Sequence, residues 1–173
     1  MRRTQPFSAL LVVATAGVLT ATLLTGADDA NAAANRKGCV EFDVVDRTVE
    51  AWQPTNKPPA SALSIGTYAD VINNAADTTQ IGTATGTATV LSVRPDGHQV
   101  EFLAQQWQLP DGVVAYQDTF DRTAMLAGQT VRGPAEGITG RYAGLTGTME
   151  WKLIGYGLGS HKVPEHFALC PGQ

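Results

Sequence analysis

The chain has 173 residues, a formal net charge of −4 and two cysteines. That mild acidity argues against nucleic acid as a partner, because it supplies no basic patch, and gives little pull toward an anionic membrane surface. The Gly-x-Gly spacings sit among threonines in strand-like context and none opens a helix, which argues against a nucleotide phosphate cradle.

Residues 1–32 read as a cleaved export signal. Arg2 and Arg3 form a positive start, Ala9 to Leu24 is apolar and uncharged, and Ala30-Asn31-Ala32 is a small-residue cleavage site, with Ala33 and Ala34 as slipped alternatives. The apolar run is short for a membrane span. The hydrophobic residues expected after a twin-arginine pair are largely missing from Thr4-Gln5-Pro6-Phe7, so the general export route fits better. The mature chain is therefore expected to be secreted, to leave the membrane, and to form one domain over residues 33–173. Its two cysteines, Cys39 and Cys170, lie near its two ends. In an oxidising compartment they pair by default. The bridge would close a loop of about 130 residues and stabilise by about 4–5 kcal/mol. Neither cysteine has a C-x-x-C or Cys/His partner that would suggest a metal.

Helix signals are scarce and turn signals frequent. Val40 to Asp46 reads as a first strand, Pro54 to Pro59 as a loop, Ser64 to Val71 as a second strand and Asn73 to Thr79 as a polar turn. Gln80 to Arg94 is a long strand, and Pro95-Asp96-Gly97 turns it into His98 to Leu109. Pro110-Asp111-Gly112 repeats that turn before Val113 to Asp121. These two turns predict an antiparallel meander. Thr130 to Ile138 and Thr148 to Gly155 flank a glycine-rich corner, Gly137 to Gly147, and His166 to Cys170 reads as a last edge strand. Seven or eight short strands predict an all-β barrel or sandwich. Within the long strand, Gly82, Ala84, Gly86 and Ala88 share one face and Thr83, Thr85, Thr87 and Thr89 the other. The small face suits a barrel corner or a close subunit contact, or else a wall left flat for a ligand.

Several segments, in order, resemble the allene oxide cyclase barrel and its dirigent relatives. They are Glu41-Phe42-Asp43, Ile65-Gly66-Thr67-Tyr68-Ala69-Asp70-Val71, the strand Ile81 to Ala88, and Gly137-Ile138-Thr139-Gly140-Arg141-Tyr142-Ala143-Gly144. The last resembles the family's Ile-Thr-Gly-Gly-x-Gly-x-Tyr/Phe-x-Gly signature, and the likeness runs from about Val40 to Leu153. It implies a closed antiparallel eight-stranded β-barrel with an apolar cavity, in homodimers or homotrimers. It also implies cofactor-free cyclisation or isomerisation of a small hydrophobic, polyketide- or lipid-like substrate. Glu41 and Asp43 stand where the plant cyclases have a pocket Glu and Asn. Asp70 and Ala88 stand where those enzymes have a pocket Pro and Cys, which argues against allene oxide itself as substrate.

Glu41 and Asp43 share a strand face. Facing an apolar interior, at least one would have a raised pKa and act as a general acid. Simple alternation instead turns them to solvent, with Phe42 and Val44 inward. Tyr68 and Asp70 form a second same-face pair, suited to hydrogen-bonding a substrate oxygen or to fixing a loop at the barrel mouth. Tyr116 and Asp118 repeat that spacing, and Arg122 would bind a substrate carboxylate or pair with Asp118 or Asp121 at the surface. Trp107 and Trp151 are candidates for substrate contact or core. At least one of Gln105, Gln106 and Gln108 is expected to face inward, and Tyr142 to pack. His161, Glu165 and His166 read as surface residues with no third metal ligand at fixed spacing. No nucleophile elbow suggests a hydrolase. A non-catalytic carrier of an apolar ligand and a dirigent-like guide for radical coupling are the alternative functions.

Overall fold

Alternation of small or apolar residues with polar ones, broken by turns, closes this chain into a barrel. A computed structural model describes residues 38–52, 64–155 and 162–172. The expected export signal, the Pro54–Pro59 loop and His161 lie outside them. The strands are β1 (Val40–Trp52), β2 (Ile65–Asn74), β3 (Gln80–Val93), β4 (Gln99–Leu109), β5 (Gly112–Asp121), β6 (Val131–Gly137), β7 (Leu145–Trp151) and β8 (Val163–Pro171). Each pairs antiparallel with the next, and β8 closes on β1. The last strand is thus not an edge: it is paired on both sides, from Val40↔Leu169 to Asp46↔Val163 and from Leu145↔Pro171 to Trp151↔Glu165. Closure gives each strand a neighbour on both sides, so the sheet has no free edge strand among the described residues.

Both Pro-Asp-Gly turns join strands as expected, giving a β3–β4–β5 meander. The glycine-rich corner is a single 3-10 turn, Gly140–Tyr142, between β6 and β7. Gly140 there has a φ of +63°, a left-handed conformation that glycine adopts without the Cβ clash. The second strand of the corner begins at Leu145, three residues earlier than the Thr148 read from sequence.

One element has no counterpart in the sequence reading: helix α1 (Arg122–Leu126). β5 and β6 pair over only three rows, Val114↔Gly137, Ala115↔Glu136 and Tyr116↔Ala135. Beyond them α1 continues from the end of β5. Asp121 caps the helix, its side chain accepting from the Ala124 amide at 3.0 Å and also meeting His98 Nδ1 at 2.7 Å. The Asp121 cap and Gly128 after the last turn were the available signals.

The interior divides along the barrel axis. At the end carrying the Cys39–Cys170 disulfide the barrel is solid. Phe42 stacks on Phe167 at 4.7 Å, Trp107 meets Phe167 edge-on at 5.2 Å, and Tyr142 lies 5.3 Å from Phe42. Ile72, Val114 and Leu169 are buried in the same core cluster. Packing of this kind anchors the barrel without obstructing its other half.

Candidate functional site

The other half of the barrel holds a cavity of about 200 Å³. Leu103, Met125, Leu126, Met149, Trp151, Leu153 and Val163 form an apolar part of its wall. The polar part is Asp46 and Thr48 on β1, Tyr68 and Asp70 on β2, Glu101 and Gln105 on β4, Arg122 on α1, and Glu165 on β8.

Asp46 and Asp70 are each 3% exposed and hydrogen-bond to one another. Gln105 Nε2 donates to Asp46 Oδ2 at 2.8 Å and reaches Asp70 Oδ2 at 3.4 Å. The Tyr68 hydroxyl donates to Gln105 Oε1 at 3.3 Å. Burial, then the charge of Asp70, pushes Asp46 up to about 8, and burial pushes Asp70 up to about 6. Two carboxyls in this arrangement hold one proton between them near neutrality, as like charges at contact cannot both ionise cheaply. One oxygen of each, Asp46 Oδ1 and Asp70 Oδ1, accepts no hydrogen bond from the protein.

Two further carboxyls flank the pair. Glu165 is held by Trp107, whose indole N–H donates to its Oε2 at 2.7 Å, and burial raises it well above the carboxylate range. Glu101 is bound by Arg122 Nη1, and burial raises its pKa despite that cation. The Tyr68 phenol is also raised, by burial and then by Asp70 and Asp46, so it remains a donor at all ordinary pH values.

Tyr68 fits because β3 is narrow beneath it. A Cβ at Gly86 would collide with the Tyr68 hydroxyl and ring. The small face of β3 therefore points inward and receives a side chain of the neighbouring strand.

The sequence candidates separate under this geometry. Tyr68, Asp70, Arg122 and Trp151 line the cavity. Trp107 is fully buried in the packed half and reaches the site only through Glu165. Tyr116 is buried under Gly133 near Asp118, and burial pushes its phenol up to about 12. Arg122 pairs with buried Glu101, not with Asp118 or Asp121 at the surface. Glu41 and Asp43 are exposed on the outer face, where Asp43 meets His166 Nδ1 at 2.8 Å. Alternation sets that orientation: Phe42, Val44 and Asp46 occupy the inner face of β1. Glu165, read as a surface residue, is 4% exposed. Asp46, Glu101 and Glu165 were missed. Each continues an apolar stripe, as in Phe42-x-Val44-x-Asp46, Glu101-x-Leu103-x-Gln105-x-Trp107 and Glu165-x-Phe167-x-Leu169. An acid in phase with a buried stripe was the signal.

Residues 49–159 match the family model of the allene oxide cyclase barrel like domain, and the chain belongs to that family. Its fold is shared by the exo-specific intermolecular Diels-Alderase AbnU, at 22% identity and a TM-score of 0.67, over 76% of this chain and 96% of that one. It is shared too by a nonspecific heme-binding cyclase that catalyses a cycloaddition during neoabyssomicin biosynthesis, at 23% identity and a TM-score of 0.65, over 76% of this chain and 64% of that one. A pyocyanin demethylase, 18% identical with a TM-score of 0.60, covers 75% of this chain and 99% of its own. The barrel is common to these proteins, and chemistry has to be argued from each site.

Proposed function

We propose that this member of the allene oxide cyclase-like barrel family is an exported cyclase or isomerase that converts one small, largely apolar molecule inside its half-barrel cavity. The observation that carries this reading is the buried Asp46–Asp70 carboxyl pair in the wall of a 200 Å³ cavity. A carboxyl that keeps its proton near neutrality is a general acid positioned at the substrate. Its neighbour, ionised, accepts a proton elsewhere on the same molecule. Leu103, Met149 and Trp151 exclude water and hold a compact conformer, which supplies the proximity part of the rate. The donor lies in the chain, so the reading invokes no cofactor. The presence of cyclases among proteins of this fold supports ring closure as the reaction class.

The test uses an apolar extract of the source organism, incubated with purified protein and followed by mass spectrometry. A species that disappears as an isomer of equal mass accumulates identifies the substrate. Asp46→Asn and Asp70→Asn should each lower that turnover at least tenfold, whereas Glu41→Gln with Asp43→Asn, both on the outer face, should leave it unchanged. A species retained on the protein and recovered intact would make it a carrier. Undiminished turnover in both Asp variants would remove the carboxyl pair from the mechanism.

A further inference from the structure

Among the described residues, the cavity wall carries four carboxyls, Asp46, Asp70, Glu101 and Glu165, against one cation, Arg122. Arg122 is already bound to Glu101. The remaining three acids have neutral or hydrogen-bonding neighbours only: Gln105, Tyr68, Thr48 and the Trp107 indole. Among the unpartnered buried side-chain atoms of this wall, Arg122 Nε and Trp151 Nε1 are donors, while Asp46 Oδ1 and Asp70 Oδ1, on carboxyls only 3% exposed, are acceptors with no donor in the protein. A cavity whose carboxyls outnumber its cations, with two carboxyl oxygens left unpartnered beside each other, is complementary to a ligand that brings positive charge.

We infer that the molecule processed here is one that becomes cationic in the cavity: a small apolar compound with a basic oxygen or nitrogen, cyclised through a positively charged intermediate. This rests on the reading of the cavity as the active site and specifies its substrate class. The step balances without a co-reactant. The proton shared by Asp46 and Asp70 moves onto the basic atom. The basic atom is the heteroatom of a C=O or C=N group: a second π-electron pair of the substrate forms the new ring bond to its carbon, and the C=O or C=N π pair passes to the protonated heteroatom, leaving the positive charge on the new ring. A proton then leaves the ring and returns to the carboxyl pair, so product and substrate are isomers. While the cation exists, the newly ionised pair faces it, and Tyr68 and Trp151 line the same wall.

The experiment measures calorimetric binding of three probes of similar size to the purified protein: N,N-dimethylbenzylammonium, isobutylbenzene as its neutral isostere, and phenylacetate as an anion. The cation should bind at least tenfold tighter than either of the others at pH 8, and Asp46→Asn with Asp70→Asn should abolish that preference. Should the double variant fold poorly, the wild-type pH profile serves instead. Affinity for the ammonium should rise tenfold or more from pH 5.5 to pH 8 as the carboxyl pair releases its proton, with isobutylbenzene unaffected. Equal binding of cation and isostere, or a preference for phenylacetate, overturns the cationic class while leaving the cavity as a binding site. Failure of the ammonium to bind also overturns it. The turnover assay with Asp46→Asn then judges the cyclase reading separately.

Discussion

Asp46→Asn should stabilise the barrel increasingly as pH rises from the ordinary carboxylate range toward pH 8. The Asp46 carboxyl is raised from 3.8 to about 8 by burial and by Asp70, and Asp70 is itself raised to about 6. Between pH 6 and pH 8 the folded pair therefore keeps about one proton that the unfolded chain has released. A group that binds its proton more tightly when folded contributes stability at low pH, and that stability is lost as pH rises toward the folded value. One retained proton corresponds to about 1.4 kcal/mol per pH unit, so the wild type should lose about 3 kcal/mol from this source between pH 6 and pH 8. Asparagine still accepts from Gln105 Nε2 and still faces Asp70, but does not titrate. The advantage of the variant should accordingly be about 3 kcal/mol larger at pH 8 than at pH 6, or about 10 °C more in Tm for a chain of this size. Urea unfolding of both proteins at three pH values reads it directly. Groups remote from the pair cancel in the difference. His98, raised by Asp121, loses stability in the same direction in both proteins. Asp77, lowered to about 2 by Arg47, acts only as pH falls below the ordinary carboxylate range. An advantage that stays constant across pH 6–8 would refute the shared proton.

Three further outcomes follow from named contacts. Gly86→Ala should push the Tyr68 ring into the cavity and lower turnover by up to about 100-fold, with the barrel still folded by circular dichroism. Arg122→Met should cost about 3–5 kcal/mol in urea unfolding, because it leaves Glu101 buried without its cation, and Glu101→Leu added to it should recover most of that loss. Replacing Cys39 and Cys170 by Ser frees termini 131 residues apart and should lower stability by about 4–5 kcal/mol, a loss that reduction of the wild type reproduces.

Much of the barrel was legible because its signals are local. Pro95-Asp96-Gly97 and Pro110-Asp111-Gly112 set two hairpins through backbone preferences of three residues, and period-two alternation marked β3 and β4 wherever it was clean. The glycine-rich corner was found for the same reason, with its second strand misplaced because Leu145-Thr146-Gly147 reads equally as turn or strand. Alternation also contained the correct orientation of β1, with Phe42 and Val44 inward. The likeness to plant cyclases drew attention to Glu41 and Asp43, two residues that the same alternation places outside.

The sequence by itself determined the β3–β4–β5 meander, its turns and the gathering of small residues on one face of β3, since each depends on neighbours a few residues away. Only the tertiary structure decided the site. Asp46 and Asp70 sit diagonally across the β1–β2 ladder, where Asp46 pairs with Ile72 and Thr48 with Asp70, so the register between two distant segments brings them together. Gln105 meets them from β4, a strand adjacent to neither β1 nor β2, because closure folds the sheet's inner face onto itself. Glu101 acquires its cation from α1, where β5 and β6 part. Burial raises these acids only after that closure, when water has left the lumen and like charges have been forced into one low-dielectric space.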